Sequence, residues 1–140
     1  MPEGAAPLSA ASFVAENGSL FAFRKGSIPF LACHMFFISA PPGSLRGRHA
    51  HRKTNQFLVV AAGSVEVATE DLNGREQSFL LQVGDGFHIP PFVWATQTFQ
   101  GPNALLVVLT DEPYDEADYI RDYDEFLALR EGQEESNAAP

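Results

Sequence analysis

Apolar residues along this chain occur in short runs, many of them alternating with polar residues, and turn-forming residues separate the runs. Val, Ile and Phe are frequent in the runs, a composition and period that favour β-strands. The runs lie at residues 20–23, 33–38, 56–60, 64–68, 78–81, 86–89, 94–99 and 104–109. Turn signals between them include Asn17-Gly18, Asn73-Gly74 and Gly84-Asp85-Gly86. Many short strands at fairly even spacing predict an all-β sandwich or barrel.

The pattern changes after residue 109. From Tyr114 to Arg130, apolar side chains recur at spacings of three and four residues, which predicts one or two helical turns packed against the strands. The final residues 131–140 are polar and acidic, and we expect a disordered tail there. Residues 1–10 are rich in Ala and Pro and predict a flexible N-terminus, so that residues 11–130 form one domain.

Composition narrows the class of protein. The 140 residues are 45% hydrophobic, enough for a single core, and the formal net charge of −9 argues against a nucleic-acid partner. Cys33 is alone and excludes an internal disulfide, and the N-terminus lacks the basic and apolar regions of a signal peptide. No apolar stretch is long enough to span a membrane. We therefore expect a soluble cytoplasmic protein without a membrane partner.

Basic residues are concentrated in one segment. Four of the nine fall within eight positions, namely Arg46, Arg48, Arg52 and Lys53. A local cationic cluster on an acidic protein is typical of a site for a small anion such as a phosphate ester. A solvated run of charges is the alternative interpretation.

His49 and His51 lie within the same segment. If the segment is extended, side chains two residues apart point to one face, so that both imidazoles face a common space. The apolar run at residues 57–60 comes next, which indicates the rim of a pocket rather than a solvated strand edge. Imidazoles ordinarily titrate near neutrality and are suited to proton transfer. We assign His49 and His51 as candidate catalytic residues.

A cupin-like motif surrounds these histidines. Its spacing is Gly43-x5-His49-x-His51-x4-Gln56-x6-Gly63. Gln56 stands where metal-binding cupins usually carry Glu, and Ala95 takes the histidine position of a second, partial motif at residues 84–90. Two histidines and an amide leave a divalent metal short of ligands. A metal-dependent cupin with His34 or His88 as third ligand is therefore only an alternative, and no metal is expected.

A narrower resemblance extends from about Gly18 to Leu127. The matching segments are Arg46-Gly47-x-His49-Ala50-His51, Gln56, Gly63-Ser64, Pro91-x-Val93-Trp94 and Tyr114-Asp115-Glu116-x-Asp118-Tyr119-Ile120-Arg121-x-Tyr123-Asp124-x-Phe126. They resemble the bacterial dTDP-4-keto-6-deoxyhexose 3,4-ketoisomerases, a WxcM-like group of cupins. The resemblance implies a cupin jelly-roll barrel with a short C-terminal helical segment, and a homodimer in which the subunits exchange an N-terminal strand.

The resemblance also implies an activity. Members of this group move a ketone between C4 and C3 of a dTDP-linked sugar in deoxysugar biosynthesis, without a metal or organic cofactor. Moving a carbonyl to the adjacent carbon requires a base at C3, a stabilised enediolate and proton delivery to C4. We expect His49 to be the C3 base, and His51 to relay the proton or polarise the carbonyl oxygen.

Three further residues are candidates for contact with the nucleotide sugar. Arg46 either holds the diphosphate bidentately or supports the pocket from behind. Trp94 either packs on the sugar or thymine ring or belongs to the core. Gln56 either fixes an imidazole tautomer or satisfies backbone groups. A structural role is expected for the tail tyrosines Tyr114, Tyr119 and Tyr123.

Several positions near the expected pocket differ from the family pattern. Asn17 replaces an arginine, Phe36 and Phe37 replace paired tyrosines, Ala95 replaces a histidine, and Thr98 stands where the face of protonation is selected. By position, Asn17, Phe37 and Thr98 are substrate-binding candidates. Each lost polar donor is worth about 2–4 kcal/mol in an active site. A catalytically silent homologue, or one that binds a different nucleotide sugar, is therefore the alternative function.

Overall fold

The computed structural model describes residues 4–138, with side chains described as far as residue 133. The strands are β1 (Ala6–Ser9), β2 (Ala11–Ala15), β3 (Gly18–Ala22), β4 (His34–Ser39), β5 (Leu45–His51), β6 (Gln56–Glu70), β7 (Glu76–Gln82), β8 (Asp85–Ile89), β9 (Trp94–Thr110) and β10 (Tyr119–Ile120). A 3₁₀ turn covers Glu116–Asp118, and helix α1 covers Tyr123–Ala138. The prediction of an all-β fold with a C-terminal helical segment is confirmed.

One antiparallel sheet of eight strands contains every described strand except β2 and β3, which form a separate hairpin. Its hydrogen-bonded order is β1-β8-β6-β9-β5-β10, with β4 paired to β9 and β7 paired to β6. Strands β6 and β9 are the longest, and each is long enough to pair with several neighbours. They also pair with each other, from Gln56↔Thr110 to Glu70↔Trp94. Among the described strands, this path does not close on itself.

Side chains of the sheet alternate between a buried face and a more exposed face. In β9, Ala95, Gln97 and Phe99 are buried, whereas the residues between them are only partly covered. The fully buried side chains of the main core include Leu58, Val65, Phe87, Phe99 and Leu106. This alternation decides which residues of each strand can reach a site on the inner face.

The N-terminal residues correct one prediction. Strand β1 pairs with β8 from Ala6↔His88 to Ser9↔Asp85, so that this part of residues 1–10 belongs to the sheet and is not a flexible segment. The composition of residues 1–10 does not reveal this pairing, because the hydrogen-bond partners of β1 belong to a strand that is distant in sequence. Residues 1–3 lie outside the described residues.

The C-terminal helix corrects a second prediction. Helix α1 continues to Ala138, so residues 131–138 are helical and not disordered, while residues 139 and 140 lie outside the described range. Phe126 is fully buried against Ala50 and Ile120 and anchors the helix. Once the first turns are docked, each further residue adds a hydrogen bond without a new nucleation cost. Within residues 4–138, no helix is long and apolar enough to cross a membrane.

Strand β10 carries the tail to the histidine strand. It pairs antiparallel with β5, Tyr119 opposite His51 and Ile120 opposite Ala50. Ala50 and Ile120 point into the core beneath α1. Because neighbours along a strand alternate, His51 and Tyr119 lie together on the other face.

The close packing of β6 on β9 predicts an asymmetry between two glycines. A Cβ at Gly63 would lie 2.8 Å from the Cα of Ala104, whereas a Cβ at Gly101 would have no atom within 4 Å. Both residues have positive φ, so alanine at either costs backbone strain of about 1–2 kcal/mol. Because of overpacking, Gly63→Ala should lower the free energy of unfolding by about 1–3 kcal/mol more than Gly101→Ala does. Urea unfolding of both variants measures the difference. Equal losses would contradict the close approach.

Candidate active site

The end of β5 positions His49 and His51. Their ring centroids are 5.0 Å apart at an interplanar angle of 89°. Ala50, between them, is 1% exposed and points into the core. The two imidazoles therefore face one space, as the alternation of an extended segment predicts.

A bulge in β5 precedes this pair. The register against β9 shifts between Gly47 and His49, and Arg48 has a left-handed φ of 60°. A Cβ at Gly47 would lie 2.9 Å from Oε1 of Gln97 and 3.0 Å from the carbonyl oxygen of Ala95. The approach of β9 thus leaves no room for a side chain at residue 47. The bulge re-aims the strand just before the histidines.

Asp118 anchors His51 from behind. Nδ1 of His51 lies 2.9 Å from Oδ2 of Asp118, and the hydroxyl of Thr54 donates to the same oxygen. The backbone N–H groups of Arg52 and Lys53 donate to Oδ1 at 3.0 and 2.7 Å. An ionised carboxylate only accepts hydrogen bonds, so Nδ1 of His51 carries the proton and Nε2 is left as an acceptor.

Both histidines have one nitrogen without a partner. Nε2 of His51 and Nδ1 of His49 are buried, and no described residue forms a hydrogen bond with either. His51 is 5% exposed, so solvent access does not explain its free nitrogen. A buried polar atom without a partner costs free energy that a ligand recovers on binding. The pair therefore points to a ligand between or beside the two rings.

The protonation states follow from burial. Burial, and after it the neighbouring His51, lowers the pKa of His49 from 6.5 to about 4. Burial also lowers the pKa of His51, although the hydrogen bond to Asp118 opposes this shift. Burial acts to raise the pKa of Asp118, but hydrogen bonds from Thr54 and His51 outweigh it and the pKa is lowered. At neutral pH the site thus holds two uncharged imidazoles and an ionised carboxylate.

Two adjoining cavities open beside the histidines. One of about 310 Å³ is lined by His51 and is called the His51 lobe. The other, of about 220 Å³, is lined by His49 and is called the His49 lobe. Phe36, Gln56 and Tyr119 line both. The lobes therefore meet along these three side chains.

Tyr119 lies against both imidazoles. Its ring centroid is 4.3 Å from that of His51 and 5.0 Å from that of His49. The guanidinium of Arg121 lies 4.1 Å from the centre of the same ring, and Glu116 accepts hydrogen bonds from Arg121 at 2.6 and 3.0 Å. The sequence predicts only a structural role for Tyr119, but its ring forms a wall of both lobes.

The structure brings two of the predicted binding residues to the cavities. Gln56 is 6% exposed and borders both lobes, and Arg46 lines the His49 lobe. Trp94 packs instead on the rings of Tyr123 and Phe126, with centroids 5.2 and 5.8 Å away. It belongs to the small core beneath α1, which is the second of the two roles that the sequence leaves open for it.

Three other predicted binding residues lie away from the lobes of this chain. Phe37 is 62% exposed on the outer face of β4, whereas Phe36 faces inward. Thr98 likewise points away from the cavity, and Gln97 lines it. In each of these strands the neighbouring residue, Phe36 or Gln97, faces the cavity instead, because successive side chains of a strand point to opposite faces. Asn17 lies in the turn between β2 and β3 and lines neither lobe.

The site also contains residues to which the sequence assigned no part in catalysis or substrate binding. Asp118, Arg121, Gln97 and His34 all line one of the lobes. Asp118 and Arg121 belong to the tail segment that carries the family resemblance. The motif therefore marks both residues in the sequence, but it does not indicate what either of them does. Gln97 has no such signal, and His34 was considered only as an alternative metal ligand, because the position of each depends on which face of a strand meets the cavity.

The possible third metal ligands are separated. His34 lines the His51 lobe, whereas His88 lies elsewhere, with Nε2 2.8 Å from Oδ1 of Asn55. Within residues 4–138, no group of three or more His, Cys, Asp or Glu side chains is arranged to hold a metal ion.

Comparison with known proteins gives consistent matches. A family model described as FdtA, WxcM-like, C-terminal, matches residues 8–131. The TDP-4-oxo-6-deoxy-alpha-D-glucose-3,4-oxoisomerase of Aneurinibacillus thermoaerophilus is 36% identical over 112 residues, which cover 79% of this chain and 81% of that protein. The crystal structure of QdtA, a sugar 3,4-ketoisomerase from Thermoanaerobacterium thermosaccharolyticum in complex with TDP, has a TM-score of 0.84 at 29% identity, over 95% of this chain and 98% of that chain. A 3,4-ketoisomerase from Helicobacter canadensis has a TM-score of 0.81 at 31% identity, over 91% and 97%.

The lowered pKa of His49 predicts a loss of stability in mild acid. As the pH falls from 6.5 towards 4, the unfolded chain binds a proton at His49 that the folded chain does not yet accept. The free energy of unfolding should therefore fall by on the order of 2–3 kcal/mol from this group alone. The slope of the free energy of unfolding against pH can be measured by urea unfolding at several pH values, with the fluorescence of Trp94 as the signal.

His49→Gln provides the comparison for this slope. Glutamine has no proton to gain in this range, so the variant should lose the share of the slope that comes from His49 and keep the share from His51. An identical slope in the two proteins would contradict burial of a neutral His49.

Proposed function

The chain belongs to the FdtA family of WxcM-like C-terminal domains, and on this basis we propose that it is a dTDP-sugar 3,4-ketoisomerase. Its substrate is a dTDP-linked 4-keto-6-deoxyhexose, and the reaction moves the ketone from C4 to C3 in deoxysugar biosynthesis. The observation that carries the proposal is the pair of buried, unpartnered imidazole nitrogens at the meeting of two cavities, one of them backed by Asp118.

The reaction requires two proton movements that balance. A base takes the proton from C3, the electron pair forms the C3–C4 double bond, and the C4 carbonyl oxygen becomes an enediolate oxygen. The C3 hydroxyl then loses its proton as the C3 carbonyl forms, and C4 receives a proton. One group thus carries a proton from carbon to carbon, and another carries one from oxygen to oxygen. The site offers two imidazoles for these tasks.

Asp118 favours His51 as the group that acts on carbon. Its carboxylate holds Nδ1–H of His51, so that the lone pair of Nε2 is the free acceptor. The negative charge also stabilises the imidazolium that forms when Nε2 takes a proton. This assignment reverses the one expected from the sequence, in which His49 is the C3 base.

His49 then serves the oxygen atoms. Its low pKa, about 4, keeps the ring neutral, and a neutral imidazole can donate from one nitrogen and accept at the other. This suits transfer of the hydroxyl proton from O3 to O4 across the enediolate. Tyr119, in contact with both rings, keeps water away from this region.

Charges around the lobes support a place for the diphosphate. Of the basic cluster, Arg52 pairs with Glu125 and Lys53 with Asp115. Arg46 lines the His49 lobe, where Arg121 joins it from the tail. We assign Arg46 to bind the diphosphate, with Arg121 as a second donor whose guanidinium is also held by Glu116.

An altered substrate is the second candidate. Phe36 lines both lobes in place of a family tyrosine, and Ala95 is buried in the core in place of a histidine. Each substitution removes a donor of the kind that stabilises an enediolate. Under this alternative the chain binds a dTDP-sugar but does not isomerise the 4-keto-6-deoxyglucose form.

We also propose that the chain forms a homodimer that exchanges its N-terminal strands. The β2–β3 hairpin exposes Phe13, Val14 and Leu20 by 60, 77 and 55%. The outer face of β4 and β5 exposes Met35, Phe37 and Leu45 by 56, 62 and 44%. Apolar patches of this kind are typical of interfaces between subunits. A hairpin that pairs only with itself among the described strands is a suitable element to exchange.

Proton NMR of dTDP-4-keto-6-deoxyglucose in D₂O tests the activity and the base. The wild-type protein should remove the C3 proton signal and form a 3-keto product. His51→Gln should slow loss of the C3 signal by about 10²–10⁴-fold, because it removes the base. His49→Gln should form product slowly while C3 exchange continues, because the carbon base remains.

The outcomes separate the alternatives. Exchange that stops in His49→Gln but continues in His51→Gln would restore the opposite assignment. No exchange with the wild-type protein, together with calorimetric binding of dTDP, would favour the altered-substrate candidate. Failure to bind dTDP as well would contradict the proposed function altogether.

Light scattering after gel filtration tests the dimer. The wild-type protein should elute at twice its chain mass of 15.3 kDa. Val14→Glu places a charge on the 77%-exposed hairpin position and should shift the protein towards the monomer. Leu80→Glu, at a 49%-exposed position on β7, is the matched control and should remain a dimer. A monomeric wild type, or dissociation by both variants alike, would contradict this interface.

A further inference from the structure

A row of polar side chains crosses the floor of the His51 lobe. Strand β9 pairs Thr110 with His34 on one side and with Gln56 on the other. Residues directly opposite each other in antiparallel strands point to the same face. His34, Thr110 and Gln56 therefore form one row, and all three line the lobe. His34 stands in this row without a role in the reaction described above.

The hydrogen bonds of Thr110 determine the tautomer of His34. The hydroxyl of Thr110 donates to the carbonyl oxygen of Glu112 at 2.7 Å, which uses its only hydrogen. Nδ1 of His34 lies 3.3 Å from the same hydroxyl oxygen, so His34 must be the donor in that contact. Its Nε2 is then an acceptor. His51, whose Nε2 is also an acceptor, lines the same lobe.

The two lobes differ in the ligand chemistry that they accept. Neither arginine nor lysine is among the residues that line the His51 lobe, whereas its acidic members are Glu112, Asp115 and Asp118. Acceptor nitrogens and carboxylates favour hydroxyl donors and disfavour a phosphate. The His49 lobe contains both Arg46 and Arg121. We therefore expect a sugar nucleotide to place its hexose in the His51 lobe, with O3 and O4 also within reach of His49, and its diphosphate towards the arginines of the His49 lobe.

The sugar itself limits what His34 can contact. A 4-keto-6-deoxyglucose unit has hydroxyls at C2 and C3 only, and the C3 hydroxyl becomes the new ketone. Its C6 methyl group suits the apolar side chains of Phe36 and Pro113 in the same lobe. The C2 hydroxyl is left as the donor that does not react.

We propose that His34 is a specificity-determining residue whose Nε2 accepts a hydrogen bond from the C2 hydroxyl of the sugar. The contact rests on the proposed function, because it places that hexose in the lobe. It holds C3 and C4 beside His51, and it makes the site prefer sugars with a C2 hydroxyl over 2-deoxy sugars.

A comparison of two proteins and two sugars tests this contact. The sugars are dTDP-4-keto-6-deoxyglucose and its 2-deoxy analogue, and the proteins are the wild type and His34→Asn. The amide nitrogen of Asn can replace Nδ1 as a donor to Thr110, but Asn has no acceptor at the position of Nε2. The wild type should lose about 10-fold in kcat/KM on removal of the C2 hydroxyl. With the parent sugar, kcat/KM of His34→Asn should be about 10-fold lower than that of the wild type. Its kcat/KM values for the two sugars should differ by less than about 2-fold.

His34→Gln is the matched control. Its longer side chain places an amide near the position of Nε2 and can offer an oxygen acceptor there, so it should recover part of the discrimination. Full discrimination in His34→Asn would overturn the proposal, as would equal use of both sugars by the wild type. If the wild type isomerises neither sugar, the proposed function fails, and calorimetric affinities for the same four combinations decide on His34 by the same criteria.

Discussion

A buried carboxylate, that of Asp118, joins the C-terminal segment to the loop after the histidine strand. It accepts hydrogen bonds from the His51 ring, the Thr54 hydroxyl and the backbone N–H groups of Arg52 and Lys53. A carboxylate that is 4% exposed is tolerated only with such partners, because an unpaired buried charge is strongly destabilising. Loop, strand and tail must therefore adopt their positions together, and the tautomer of His51 is set by the same contacts.

The position of Asp118 also orients the next three residues of the chain. Tyr119 and Arg121 point to the cavities while Ile120 points into the core, as alternation in a short strand requires. The tail thus supplies one wall of both lobes and a cation to one of them. The result is a site in which one lobe contains His51 without a cation and the other contains His49 together with the guanidinium groups of Arg46 and Arg121. A ligand that combines a neutral sugar with an anionic diphosphate matches this division.

The cavity is less polar than the family pattern implies. Phe36 forms an apolar row across the sheet with Val108 and Leu58, next to the row that contains His34 and Gln56. Ala95 is 3% exposed and extends the core beneath the histidine strand. Under the proposed mechanism, electrostatic stabilisation of the enediolate would depend on fewer groups, chiefly the imidazoles and their neighbours. Low polarity has a second effect, since it strengthens each remaining electrostatic interaction.

The sequence by itself determined the local features of this protein. Strand positions, their turns and the common direction of His49 and His51 depend on residues only a few positions apart, and a motif of adjacent residues in the tail indicated the family. The tertiary structure decided everything that depends on which faces meet. Phe36 rather than Phe37, and Gln97 rather than Thr98, reach the cavity, because a shift of one residue exchanges the faces of a strand. Asp118 meets a histidine 67 residues away, and β1 meets β8. Such contacts arise from long-range pairing of the backbone, which no local pattern of side chains specifies.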